Sequence, residues 1–221
     1  MKIQSYFYLI CFGVLISSCS PPIIALYGVR NPKEISEKKI INYSTRLAIP
    51  TDAISELDTS YYSFLSSLKL KINESLLTDS LKKKELKKHV QNHYQPLQAL
   101  YFNNKGILES FQINCYAGGF PNLNWDRDSI LTTFPPKLQA PLDTILSESL
   151  LLSFLKPMPK SAELKLGYYD YVVYVFYSKF MGRQNKRFIN YIQENNKLSN
   201  EKKIRVVYIN MDNAIALSDI W

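Results

Sequence analysis

Glu85, His89 and His93 stand four residues apart in a lysine-rich stretch whose composition suits a helix, so all three would share one helical face. Two imidazoles and a carboxylate on one face can hold a metal ion, but a closed zinc site needs a fourth ligand. They include both histidines of the chain. Lys82, Lys83, Lys84, Lys87 and Lys88 surround them, so the plainer reading is a solvated basic helix, or one that touches anionic lipid headgroups. No metal and no cofactor is expected. Cys115 would be a nucleophile only with a base beside it. No histidine is close to it in sequence, and the preferred reading is a buried structural thiol. Residues 114–125 are rich in asparagine, glycine and aromatics, and Tyr116, Phe120 and Trp125 could recognise a ligand or partner from that loop, although an ordered loop packing its aromatics inward is the preferred reading. Asp126 and Asp128 flank Arg127 and read as turn-forming carboxylates rather than an acid/base pair. No constellation names a reaction. The chain reads as a non-catalytic binding or structural module; the alternative is an enzyme using Cys115 or a metal at Glu85, His89 and His93.

The elements that would carry these residues follow from periodicity and turn chemistry. Apolar spacing predicts a helix over 34–48, ended by Pro50, a short strand over 53–57, and an aromatic-rich helix over 61–70. A charged helix over 76–93 stops before Pro96. Residues 97–102 and 107–115 read as two strands of a hairpin, because Asn103, Asn104 and Gly106 can supply the positive φ of a tight turn. A long loop covers 117–141, and a helix is predicted over 142–155, stopped by Pro157 and Pro159. Residues 171–177 form an almost continuous apolar, aromatic and β-branched run, the signature of a strand buried on both faces. A helix over 182–196, with Phe188, Ile189 and Ile192 inward, and a second buried strand over 204–210 complete a βαβ unit with parallel strands. The fold class is therefore α/β, a central sheet with flanking helices.

The βαβ stretch resembles the core of the thioredoxin superfamily: the strand at 171–177, then Phe180, Met181, Gly182 and Arg183, the helix, and the strand that leads into Met211 and Asp212. The resemblance implies a thioredoxin-like fold. In that family a redox CxxC pair sits where the first strand meets the helix, and here both cysteines are missing, so disulfide exchange at that place is chemically excluded. The order also departs from the family, which puts its hairpin after the βαβ unit; here the hairpin comes first. Either the layout is permuted, or the hairpin belongs to another sheet.

The amino terminus carries a second resemblance. Lys2 is followed by an apolar run from Tyr6 to Ile16, too short to span a bilayer, and then by small residues, the pattern of a secretory signal. Ile16-Ser17-Ser18-Cys19 resembles the bacterial lipobox. It implies cleavage before Cys19, a diacylglyceryl group on the Cys19 sulfur and stable lipid anchoring. Ser20 is not the aspartate that resembles an inner-membrane retention signal, so the expected location is the cell envelope, lipid-anchored on the outer membrane and facing the periplasm. The expected division is a signal peptide at 1–18, a lipidated tether at 19–32, an α/β region at 33–160 with the hairpin 97–115, and the thioredoxin-like unit at 161–221. The membrane is the expected partner through Cys19, with an envelope protein as a further one. Lysine and arginine outnumber acids 27 to 19, but the excess is spread along the chain and an exported protein meets no nucleic acid, so nucleic-acid binding is not expected. Cys115 is the only thiol left once Cys11 is removed and Cys19 acylated, which rules out an internal disulfide. Asp79-Ser80-Leu81, Asp128-Ser129-Ile130 and Asp143-Thr144-Ile145 also resemble the short O-glycosylation motif of exported Bacteroidetes proteins.

Overall fold

The structure, a computed structural model, describes residues 28–75, 79–119, 122–159, 161–165 and 167–218. The signal, Cys19 and most of the tether lie outside the described residues, as does Phe120. Six strands form one mixed sheet: β1 (Ile54–Leu57), β2 (Gln98–Asn103), β3 (Leu108–Ile113), β4 (Leu155–Pro157), β5 (Tyr171–Tyr177) and β6 (Ile204–Asn210), in the order β3-β2-β5-β6-β1-β4. β5, β6 and β1 run parallel; β2 lies antiparallel to β5, β3 to β2, and β4 to β1. The hairpin thus joins the same sheet as the βαβ unit, directly beside β5. Its turn is built as the asparagine and glycine pattern requires. The Asn103 side-chain oxygen accepts the amides of Lys105 and Ile107, and Gly106 holds φ +71°, where a side chain would be strained.

Helices cover both faces. They are α1 (Glu37–Arg46), α2 (Ser60–Glu74), α3 (Ser80–Asn92), the single turn α4 (Asn114–Ala117), α5 (Glu148–Ser153), α6 (Arg183–Lys197) and α7 (Asp212–Ala216). Side chains alternate across a strand, so the contacts of β5 and its register partners assign the layers. Tyr177 reaches Ser44 of α1, and Tyr101, paired with Val173, reaches Asn195 of α6. On the opposite face Phe176 packs on Tyr61 of α2, Tyr174 bonds Glu148 of α5, and Phe111 stacks on His93, just past α3. The tyrosine abundance has its explanation here. Tyr61, Tyr101, Tyr174 and Tyr177 are wholly buried, and each hydroxyl has a partner, as a buried phenol requires. Burial pushes all four hydroxyls far up from the ordinary tyrosine range, so they stay neutral.

One predicted element changes. The helix expected over 142–155 shrinks to Glu148–Ser153. The Asp143 carboxylate accepts the amide of Ile145, a local turn that competes with helix, and the Ser147 hydroxyl caps the helix late by accepting the amide of Leu150. Leu155–Pro157 then becomes edge strand β4, where a proline is tolerated. The second hairpin strand ends at Ile113, and Cys115 lies in the turn α4. Among the described residues no helix is long and apolar enough to cross a membrane.

Candidate functional site

The histidine face forms as the spacing requires, on α3 and the residue just past it. The Asp79 carboxylate starts α3 by accepting the amides of Leu81 and Lys82. The turn at 142–146 then brings up a carboxylate that spacing alone did not reveal. Asp143 stands 3.0 and 3.1 Å from His93 Nε2 through its two oxygens, and 3.8 Å from His89 Nδ1. A carboxylate can only accept, so His93 Nε2 carries the proton and donates it to Asp143. His93 is completely buried and Asp143 nearly so, whereas the Glu85 side chain is 69% exposed and 3.9 Å from His89. Asp143 is engaged by His93, and Glu85 faces water. Among the described residues no group of three histidine, cysteine or acidic side chains is arranged to hold a metal. His93, stacked on Phe111, ties the end of α3 to the sheet and to the 142–146 turn.

Cys115 departs from the expectation of burial: it is exposed. The turn α4 ends strand β3 early and lifts the side chain off the sheet. Its thiol donates to the Gln95 side-chain oxygen at 2.8 Å, and partial desolvation pushes its pKa up from the ordinary value. An amide oxygen cannot take the proton, so the thiol is accessible without being activated.

The aromatic loop also divides differently. Trp125, offered as a possible recognition residue beside the preferred inward-packing reading, is 1% exposed and lies against Phe188 of α6 with ring centroids 4.2 Å apart; it belongs to the core. The loop turns back inward because Gly119 sits at φ +72°, where a Cβ would meet the Asn122 carbonyl oxygen at 2.9 Å. Tyr116 is half-buried, with the Lys88 ammonium 5.4 Å above its ring. Tyr116 is thus the described member of the expected trio that keeps a solvent-facing side.

Sequence reasoning missed the polar cluster at the carboxyl ends of β5 and β6. Asp212, 2% exposed, accepts the Ser178 hydroxyl at 2.5 Å, the Lys179 amide at 3.0 Å and the Asn210 side-chain amide at 2.8 Å. An aspartate two residues past a buried strand was the available signal. The cluster clamps the chain between β5 and α6, the stretch with Phe180, Met181, Gly182 and Arg183. Phe180 and Met181 are buried, and α6 begins at Arg183.

These features define a mixed α/β protein in which buried polar groups such as Asp143 and Asp212 hold elements together. No protein family, curated protein or solved structure matches the chain.

Proposed function

We propose that this chain is a lipid-anchored protein of the bacterial cell envelope, and that its folded part is a non-catalytic binding or structural module. The observation that carries the proposal is Ile16-Ser17-Ser18-Cys19 directly after a short apolar run. Lipid on Cys19 then holds the module at a membrane, with the outer membrane and its periplasmic side favoured by Ser20. We further propose that the sheet is a permuted thioredoxin-like arrangement. In support, the hairpin shares one sheet with the βαβ unit, against the alternative of a second sheet. The place of the family's redox pair holds Phe180, Met181, Gly182 and Arg183, which can neither attack nor release a disulfide. Cys115, with its raised pKa and no base beside it among the described residues, adds no activated nucleophile elsewhere.

The test is Cys19→Ala in the full-length chain. Radioactive fatty acid should label the wild type, and the substitution should abolish both labelling and signal cleavage. A variant labelled and processed like the wild type would refute the anchor.

A further inference from the structure

The described chain enters the fold at a defined edge of the sheet. β5, β6 and β1 run parallel, so Tyr177, Asn210 and Leu57 end on the same side. Residues 28–35 run along that carboxyl edge. The amide of Arg30 donates to the Phe180 carbonyl at 2.9 Å, a Cβ on Gly28 would stand 3.6 Å from the Gly182 Cα, and the amide of Ile35 donates to the Asn213 side chain at 2.8 Å. A cleft of about 400 Å³ opens there, and Arg30, Lys33, Lys39 and Lys179 line it, all exposed. None of the four is in an ion pair among the described residues. The acids beside them are Glu34, which is exposed, and Asp212, which is buried and saturated by Ser178, Lys179 and Asn210. The exposed charge of the cleft is thus four cations against one anion. The hairpin turn lies at the opposite edge, because Asn103 pairs with Tyr171 at the start of β5.

We infer that this basic carboxyl edge docks on anionic phospholipid headgroups, so that the hairpin edge points away from the membrane. The inference rests on the anchored reading of Cys19. Two observations carry it. The first is charge complementarity: four unpaired cations converge on one cleft, and each basic side chain near an anionic surface strengthens partition about fivefold. The second is reach. Eight residues separate Cys19 from Gly28, so an extended chain of that length places Gly28 no more than roughly 30 Å from the anchor. The edge at which the chain enters bears this basic cleft. A module held this close meets the surface with its carboxyl edge, and the cleft between Asn103, Glu109, Asp170 and Lys202 at the other edge stays open to the aqueous side.

The experiment uses the chain from Ser20 onward, which lacks the anchor but keeps every core residue from Ile40 to Ile215. It is sedimented with phosphatidylcholine vesicles and with vesicles that also contain phosphatidylglycerol. The expected result is binding to the anionic vesicles only, weakened by salt. The combined variant Arg30→Gln, Lys33→Gln, Lys39→Gln, Lys179→Gln should lose between about a hundredfold and a thousandfold of that binding. The control variant Lys82→Gln, Lys84→Gln, Lys87→Gln, Lys88→Gln, equal in charge but on α3, should keep it. Circular dichroism checks that both variants fold; all the substituted side chains are exposed. Indifference of the wild type to anionic lipid would overturn the inference, as would equal losses in the two variants. Release by inorganic phosphate beyond that by chloride at equal ionic strength would also overturn it, since that marks a free-anion pocket. The absence of an anchor keeps this outcome separate from that of Cys19→Ala: if labelling fails but the vesicle result stands, only the anchor falls.

Discussion

Replacing Trp125 by alanine separates a loop that recognises something from a loop that closes the core. The side chain is 1% exposed and packs on Phe188 with centroids 4.2 Å apart. A buried tryptophan removes roughly 200 Å² from water, which at about 25 cal/mol per Å² is about 5 kcal/mol. Measured truncations of buried aromatic rings cost about 3–5 kcal/mol, because a cavity forms and partly relaxes. The indole nitrogen has no hydrogen-bond partner among the described residues, so truncation breaks no such bond and the loss is one of packing. We therefore expect Trp125→Ala to lose about 4 kcal/mol. For a chain of this length that lowers the melting midpoint by about 8–16 °C. Trp125→Phe keeps most of the contact with Phe188, drops an unpaired donor and should lose much less. Urea titration followed by circular dichroism measures both. A loss below about 1 kcal/mol in Trp125→Ala, the range of ordinary surface substitutions, would show that the ring is not a core element and would restore it to the recognition loop.

Asp212→Ala should cost about 3 kcal/mol or more, since it strips the acceptor from the buried Ser178 hydroxyl and Asn210 amide and from the Lys179 amide; an unchanged urea midpoint would show that the cluster does not clamp the loop. Cys115 should react with iodoacetamide in the native protein, but with a rate that climbs about tenfold per pH unit through neutrality, because its pKa is raised. A rate already at its plateau at neutral pH would expose an activated thiolate, and insulin reduction above the dithiothreitol background, lost in Cys115→Ser, would expose a redox site. Glu148, buried and bonded to the Tyr174 hydroxyl at 2.9 Å, has its pKa raised by desolvation. A carboxyl whose folded pKa exceeds its unfolded one contributes stability while protonated and loses it as pH rises through the folded value. Glu148→Gln should therefore gain on the wild type at neutral pH, and the gain should vanish below the ordinary carboxyl range; a pH-independent difference between their urea midpoints would refute this.

Much of the frame is legible without coordinates. The runs at 171–177 and 204–210 match β5 and β6 residue for residue, because short runs dominated by β-branched and aromatic residues suit strands inside a covered sheet. The hairpin turn is equally local, fixed by Asn103 and Gly106. The helix starting at Arg183 follows from the inward spacing of Phe188, Ile189 and Ile192. These are short-range or periodic constraints, and each residue carries its own share of them. The lipobox reading belongs to the sequence too, as a pattern of consecutive residues.

Tertiary structure alone decided what touches what. Asp143 lies 50 residues from His93, and only the collapse of the predicted 142–155 helix into a turn brings its carboxylate to the imidazole. No periodicity announces such a contact, because it depends on how α3 and that turn pack on the sheet. Trp125 reads as a polar-loop aromatic until Phe188 of α6 covers it, and Cys115 reads as a strand residue until β3 ends two residues earlier. The hairpin's place beside β5 also comes from long-range pairing, from Gln98 opposite Phe176 through Asn103 opposite Tyr171. Burial, pairing and proximity are properties of pairs far apart in the chain, so a one-dimensional pattern that fixes each element's type leaves its neighbours open until the core closes.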